Sequence, residues 1–435
     1  MALDSGATEA ECTVSEGKQF SVNVRMGEVE TLTEAGSRGT GVRVLVGKHT
    51  GSAYSSDLSD DGIRYMVDSA LGLAKITTED PFAGLPDPAE LGRIGTDLQL
   101  YSPAVVELST DWKIEQAKKA EAAAFAVDER IGNSEGASFD THSGTTVFAN
   151  SLGFLGSYRT SSCSMSAVPV AQLNGTMERD YWYSVAREPE RLDAAEAVGR
   201  RAAERALRRL GARKVATQKV PIVFEPRVAK SLVDNLFDSV SGDAIYRQES
   251  FLAGKMGQKV ASERLTMIDD ATIPGLFGSC PFDDEGVPSR RTVVIENGVL
   301  KSWLLNSYTA RKLGLRTTGN ASRGITGNAG VGNGNLFFEP GQQSPEDIIA
   351  SLDNAFYVTE LIGFGVNTVT GDYSRGAAGL WIENGKLSFP VSEVTIAGTL
   401  PEMLMGIAAI GSDLEFRSSM ASPTLLIREM TVSGQ

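Results

Sequence analysis

Residues 223–258 read VFEPRVAKSLVDNLFDSVSGDAIYRQESFLAGKMGQ, and their first half carries the apolar pattern of one helix. The apolar side chains recur three or four positions apart and form one stripe: Val228, Leu232, Val233, Leu236, Phe237 and Val240. Pro226 suits a first helical turn and Gly242 suits a helix end, which bounds the predicted helix on both sides. The opposite face is polar and holds no obvious catalyst: Arg227, Lys230, Asp234, Asn235 and Asp238.

The rest of the chain alternates between strand and helix patterns. Hairpins are predicted at 293–305 and 380–391, where Asn-Gly lies between alternating apolar runs, because a type I′ turn needs positive φ at both central residues. Alternation across 20–32, with a turn at Met26 and Gly27, predicts another hairpin. Helices are predicted at 60–76, 111–128 and 190–211, the second with Ser109 or Thr110 as its cap and the third ended by Gly211.

These elements indicate an α+β fold with several domains. A chain of 435 residues is too long for one ordinary core. We expect an N-terminal antiparallel sheet with helices over 1–108, a second α+β unit over 109–218, and a mostly antiparallel-β C-terminal domain over 219–435. The small sheet near the N-terminus is expected to comprise the 20–32 hairpin and a separate strand at 42–46.

The charge of the chain disfavours nucleic acid as a direct partner. The formal net charge is −14, with 41 basic and 55 acidic side chains, whereas phosphate binding needs a basic surface. A run of basic residues at 200–214 has helical spacing and is predicted to be a solvated helix face.

Other features of the sequence favour the cytoplasm. The first residues lack the basic start and apolar run of a secretion signal, and no window is apolar enough for a membrane span. The three cysteines, Cys12, Cys163 and Cys280, are widely spaced and odd in number, which does not suggest a disulfide framework.

The usual catalytic side chains are sparse. Only two histidines are present, His49 and His142, so a zinc site rich in imidazoles is nearly excluded. Asp140, His142 and Ser143 lie too close in sequence for a triad, because neighbouring positions of a strand face opposite sides. Cys280 lies in a predicted turn beside three acidic residues, which would raise the pKa of its thiol.

Two glycine-rich stretches have open roles. Residues 316–335 form a long loop that we expect to be functional or mobile, and it lacks the pattern of a phosphate-binding loop. Residues 370–379 read TGDYSRGAAG, where Asp372 and Arg375 suggest an internal salt bridge across a tight turn.

Several long blocks of the sequence resemble the TldD/PmbA family. The C-terminal half contributes FLAGKMGQKVAS at 251–262, GVNTVTGDYSRGAAGLWIENG at 365–385 and SEVTIAGTLPEMLMGI at 392–407. The front contributes VRMGEVETLTEAGSRGTGVRVLVGKHTGSAYSS, and the middle contributes VFANSLGFLGSY. The resemblance extends over nearly the whole chain.

The resemblance implies that the helix of 226–240 is the place of a metal site in related subunits. TldD-type members carry HExxxH there and use it, with a further ligand from the C-terminal domain, to hold the metal of a peptidase. Alignment through Gly242–Asp243 and GKMGQ at 254–258 places Val233 and Asp238 where the two histidines would stand, and Asp234 where the glutamate would stand. Neither imidazole is present, which resembles the TldE (PmbA) branch.

The implied function is that of a subunit without its own catalytic metal. No cofactor is expected in this chain, and zinc or a similar divalent metal is expected in a TldD-type partner, in a heterodimer that handles unfolded or small peptides. Asp372 and Arg375 would then line a peptide path, and any effect on DNA gyrase would be indirect.

Two alternatives stay open. Asp234 and Asp238, or Asp372, would hold a hard cation such as magnesium or calcium in a self-contained peptidase. Alternatively, the chain would be a homodimeric scaffold that binds peptides without cleaving them.

Overall fold

The structure is a computed structural model that describes residues 1–434. The first half contains seven strands: Glu9–Arg25 (β1), Glu28–Val46 (β2), His49–Ser55 (β3), Ile131–Asn150 (β4), Leu155–Leu173 (β5), Thr176–Arg179 (β6) and Trp182–Ala186 (β7). Its helices are Asp60–Ala74 (α1), Pro103–Glu107 (α2), Thr110–Phe125 (α3) and Ala195–Leu207 (α4), with short 3₁₀ turns at Pro88–Glu90 and Pro189–Arg191.

The second half is mostly β. Its strands are Gln218–Phe224 (β8), Met267–Asp270 (β9), Arg291–Glu296 (β10), Val299–Leu300 (β11), Ala321–Ser322 (β12), Gly330–Val331 (β13), Leu336–Phe338 (β14), Asn354–Ile362 (β15), Asp372–Glu383 (β16), Lys386–Thr399 (β17), Ile407–Ile410 (β18), Met420–Ala421 (β19) and Leu425–Ser433 (β20). Its helices are Pro226–Val240 (α5), Gly242–Tyr246 (α6), Ser307–Leu313 (α7), Pro345–Ala350 (α8) and Leu400–Met405 (α9). The predicted α+β class is confirmed.

One large antiparallel sheet spans the first half of the chain. Its order is β3-β2-β1-β4-β5-β6, and β7 also pairs with β5. The sheet has more and longer strands than the small N-terminal sheet that was predicted, because β1 pairs along its length with both β2 and β4. The glycines expected to separate 42–46 from the hairpin lie inside one continuous strand, β2. Helices α3 and α4 cover one face of the sheet, over a core that includes Phe20, Phe139 and Met165.

The predicted turns and caps are largely present. Met26, Asn297 and Asn384 each have positive φ and are each followed by a glycine with positive φ, as the three predicted hairpin turns require. The Ser109 side chain accepts a hydrogen bond from the backbone N–H of Trp112 and caps α3. Helix α4 is shorter than the predicted 190–211 at both ends, because Pro189–Arg191 form a separate 3₁₀ turn and the helix ends at Leu207, four residues before Gly211.

Gly242 does not end the long helix in the expected way. Helix α5 ends at Val240, Ser241 is extended, and Gly242 begins the next helix, α6. A Cβ on Gly242 would lie 2.5 Å from Oγ1 of Thr309 and 2.7 Å from Cδ2 of Leu305. The glycine is therefore required by close packing against α7 and not by a left-handed backbone.

The C-terminal half contains a closed ring of strands that the sequence patterns did not predict. Strands β8, β15, β16, β17 and β20 pair in turn, and β17 pairs back onto β20 through Thr395 and Ser433. A second sheet has the order β11-β10-β9-β14-β19. Helix α5 packs against strands of both sheets, β15 on one side and β14 and β19 on the other.

Candidate functional site

Helix α5 is fixed by its apolar face. Pro226 occupies the first turn, where its missing N–H costs no hydrogen bond. The stripe predicted from the sequence is buried, with Leu232, Val233 and Leu236 each at most 2% exposed in the large C-terminal core. Val233 is 0% exposed. It faces the core and offers no donor atom to a ligand.

The polar face of α5 carries two carboxylates one turn apart. Asp234 is half-buried and Asp238 is exposed. Burial raises the pKa of Asp234, and the positive charge of Lys230 acts in the opposite direction. The pKa of Asp238 is also raised, by partial desolvation and by the negative charge of Asp234. Within residues 1–434, neither carboxylate has a hydrogen bond or an ion pair.

These residues do not fit the zinc site that the aligned family positions suggest. Catalytic zinc takes three protein ligands, usually with imidazole among them, and here the two aligned histidine positions hold a buried valine and an aspartate. No group of three or more His, Cys, Asp or Glu side chains is placed to hold a metal ion in the described part of the chain. Both histidines, His49 and His142, lie on the N-terminal sheet.

A cavity of about 570 Å³ lies beside the start of α5. Its walls come from the sheet of the first half, through Arg179 and Tyr181, from α5 through Ser231, and from the strand ring through Glu360 and Arg375. The cavity therefore lies where the two halves of the chain meet. Its lining is rich in charge, a composition suited to a polar ligand or a polypeptide segment.

A buried ion-pair network supports this junction. Arg205 of α4 is 4% exposed, and its Nη1 and Nη2 donate to Oε2 and Oε1 of Glu225 at 3.0 and 2.7 Å. Its Nε lies 3.1 Å from Oδ2 of Asp180. Arg209 reaches Oε2 of Glu360 at 2.6 Å. Glu225 immediately precedes α5, so the network connects α4 directly to the start of that helix.

The predicted solvated face of 200–214 is therefore wrong for its central residues. Arg205 and Arg208 pair with the buried Glu225, and Arg209 pairs with the half-buried Glu360. The sequence did contain a signal for this, because Arg205 is three residues from Ala202 and seven from Val198 on the apolar stripe of α4. An arginine at an apolar position of a helix is usually paired, since an unpaired buried charge is costly.

Asp372 and Arg375 are not a salt-bridged pair. Both lie in β16, so the tight turn predicted at 370–379 is limited to the residues before Asp372. Oδ2 of Asp372 accepts a hydrogen bond from Oγ1 of Thr370 at 2.6 Å. Arg375 lines the cavity beside α5, whereas Asp372 lines a separate shallow depression with Phe364. The two residues therefore serve different surfaces.

The other candidate side chains have structural roles. Asp140 accepts hydrogen bonds from Ser21 and Ser138 in the N-terminal sheet. Nδ1 of His49 lies 2.8 Å from the carbonyl oxygen of Thr77. Burial raises the pKa of the Cys280 thiol to about 12, and Asp283, Asp284 and Asp269 add to the effect. The predicted direction for Cys280 is confirmed, and its thiol is not an activated nucleophile.

The glycine-rich loop of 316–335 is packed against the N-terminal sheet. Arg323 forms an ion pair with Glu11 of β1, and Nη2 of Arg323 donates to Oγ1 of Thr13 at 3.2 Å. A Cβ on Gly41 would lie 1.6 Å from the carbonyl oxygen of Ile325. The loop therefore joins distant parts of the chain.

Models of one protein family match three successive parts of the chain. The PmbA/TldA metallopeptidase domain 1 matches residues 10–74, the central domain matches 104–210, and the C-terminal domain matches 217–434.

Every helix of residues 1–434 is too short or too polar to cross a bilayer.

Whole-chain relatives carry the same family names. The chain is 41% identical to metalloprotease PmbA of Escherichia coli O157:H7 over 434 residues, which covers 100% of this chain and 94% of that protein. It is 36% identical to the PmbA homologue of Haemophilus influenzae, which covers 100% of this chain and 94% of that protein. It is 26% identical to the TldD homologue of the same organism, over 91% of this chain and 87% of that protein.

Solved structures share the fold. A candidate modulator of DNA gyrase from Bacteroides thetaiotaomicron superposes with a TM-score of 0.93 at 29% identity, covering 100% of this chain and 96% of the other. TldE from Thermococcus kodakarensis superposes with a TM-score of 0.88 at 23% identity, covering 99% and 98% of the two chains. The family models and the full-length relatives lead to one conclusion: this chain belongs to the PmbA/TldD metallopeptidase family.

Proposed function

We propose that this chain is a TldE/PmbA-type subunit of a metallopeptidase complex. In this complex it holds peptides, and a TldD-type partner holds the catalytic metal. The observation that carries the proposal is the composition of α5. Its buried face presents Val233, and its polar face offers only Asp234 and Asp238 as carboxylate ligands. Two carboxylates without an imidazole cannot reproduce the donor set of a zinc peptidase.

Identity to named relatives supports the same branch. The chain is 36–41% identical to proteins named PmbA, and 25–26% identical to TldD homologues. Because these matches extend along most of the chain, the difference reflects the whole molecule and not one segment.

The cavity beside α5 supports a role in peptide handling. It lies between the two halves of the chain and contacts the helix that aligns with the metal site of active members. An extended peptide can be held through main-chain hydrogen bonds and a few side-chain contacts, which tolerates many sequences. The net charge of −14 favours an indirect, peptide-level effect for any modulation of DNA gyrase.

The test is a peptidase assay on the purified chain with zinc, alone and mixed with a TldD-type subunit that has an intact HExxxH. We expect hydrolysis of an unfolded substrate such as azocasein only in the mixture, with loss of activity on chelation. Robust, chelator-sensitive activity of the single chain would overturn the proposal. Light scattering on the same samples separates a heterodimer from a persistent homodimeric scaffold that ignores the partner.

A further inference from the structure

The cavity beside α5 contains one positive charge without a partner. Its lining includes Arg179, Arg209, Arg227 and Arg375 against three acidic residues. Arg179 pairs with Glu135, Arg209 pairs with Glu360, and Arg227 lies 3.9 Å from Asp180. Arg375 has no ion pair and no side-chain hydrogen bond within residues 1–434. The cavity lining therefore has one more positive charge than negative charges.

The position of Arg375 makes this imbalance costly. The residue is half-buried, and its Nε is closed off from solvent with no hydrogen-bond partner in the described residues. The neighbouring Tyr373 is 1% exposed, and burial raises the pKa of its phenol while Arg375 acts in the opposite direction. The positive charge of this guanidinium and its unpaired N–H have no acceptor nearby in the described part of the chain, and an anion in the cavity would provide one.

The chemistry of arginine points to a carboxylate. A guanidinium presents parallel N–H donors that match the two oxygens of a carboxylate, and such pairs are among the stronger hydrogen-bonded contacts. The hydroxyls of the lining on α5 and β15, Ser231 and Thr359, already donate to the carbonyl oxygens of Val228 and Ala378. Arg375 is therefore the one of these three residues whose side-chain donors have no acceptor within residues 1–434.

The direction of α5 gives the ligand an orientation. Ser231, Asp234 and Asp238 follow one face of the helix at i, i+3 and i+7, so Asp238 lies about 10 Å further along the axis than Ser231. A carboxylate is attracted to Arg375 and repelled by Asp234 and Asp238. An extended peptide anchored at Arg375 would cover the distance to Asp238 with about three residues.

We propose that Arg375 is the anchor of a subsite that binds a peptide carboxylate and thereby sets the direction in which a peptide lies along α5. The proposal rests on the peptide-handling function proposed above. The shared chemistry is the carboxylate, which can come from the C-terminus of the peptide or from an acidic side chain.

Fluorescence anisotropy with three labelled probes tests this subsite on the full chain. The probes are an uncharged decapeptide with a free C-terminal carboxylate, the same decapeptide amidated, and the amidated decapeptide with one internal glutamate. We expect the free acid to bind at least about tenfold more tightly than the amide, as expected for a hydrogen bond to a charged group. If the internal glutamate restores tight binding, the site also reads side-chain carboxylates.

Two variants locate the effect. Arg375→Gln should bring the affinities for the free acid and the amide together while leaving the affinity for the amide unchanged, which also shows that the variant is folded. Lys219→Gln is the control for charge, because it also removes one positive charge but lies outside the cavity in an exposed ion pair with Glu429, and it should keep the preference.

The outcomes separate the two proposals. Equal binding of the free acid and the amide to the wild-type chain, or an unchanged preference in Arg375→Gln, would overturn the carboxylate subsite and leave peptide handling intact. Failure to bind any of the probes, both alone and in the presence of a TldD-type partner, would overturn peptide handling and the subsite together.

Discussion

Arg205 and Glu225 form a buried two-point ion pair that joins helix α4 to the start of helix α5. The two distances are 3.0 and 2.7 Å, and both side chains are at most 6% exposed. Asp180 reaches the third nitrogen of the same guanidinium. The central arginines of 200–214 were predicted to be solvated. Instead, they form ion pairs that hold the walls of the cavity together.

This network predicts a large effect of removing its central cation. Arg205→Met would leave Glu225 and Asp180 buried without their main partner, and we expect the free energy of unfolding to fall by about 3–5 kcal/mol. Urea denaturation measures the loss. The control is Lys219→Met, which removes an exposed ion pair with Glu429 and should have little effect. Equal losses in the two variants would contradict a structural role for the network.

Gly41 controls how the loop of 316–335 is held. Because an added Cβ would collide with the backbone of Ile325, Gly41→Ala should displace the loop and increase trypsin cleavage after Arg323 several-fold. Gly36→Ala is a matched control in the same strand, where the nearest atom to an added Cβ is 3.9 Å away. If both variants are cleaved at the wild-type rate, the close contact does not hold the loop.

Asp234 predicts an unusual dependence of stability on pH. Its pKa is higher in the folded chain than in the unfolded chain, so the folded state binds more protons and lowering the pH stabilises it. Asp234→Asn should therefore be more stable than the wild type at pH 7, and the difference should shrink as the pH falls toward about 4. Denaturation at both values measures this. A variant that is less stable at pH 7 would indicate that the carboxylate has an undetected favourable partner.

The thiols of Cys163 and Cys280 should be inert in the folded protein. Burial is the main cause that raises the pKa of each to about 12. In a Cys12→Ser variant, which has only these two thiols, we expect no reaction with Ellman's reagent at pH 8 before unfolding and two equivalents afterwards. Rapid labelling of the folded variant would restore Cys280 as a candidate nucleophile.

Local sequence signals predicted local structure well. The turns at Met26, Asn297 and Asn384 and the cap at Ser109 follow from the conformational needs of single residues, and all are present. The burial of Val233 followed from helical periodicity. The family resemblance also identified α5 as the helix on which to look for a missing metal site.

Long-range pairing was beyond these signals. Nothing in the alternation of β17 and β20 reveals that they close a ring, because side-chain periodicity fixes which face is buried but not which strand is the neighbour. The partner of Arg205 was hidden for the same reason, since Asp180 and Glu225 lie in other segments. The unpaired state of Arg375 likewise becomes visible only when the cavity is assembled.

The central claim is that α5 of this chain no longer holds a catalytic metal, and zinc content tests it most directly. The purified chain is incubated with excess zinc and dialysed against buffer without chelator. Its bound zinc is then measured by inductively coupled plasma mass spectrometry, beside a TldD-type subunit treated in the same way. The account predicts far less than one zinc per chain for this protein and about one for the subunit with HExxxH. About one zinc per chain here, lost in Asp234→Asn or Asp238→Asn, would contradict it.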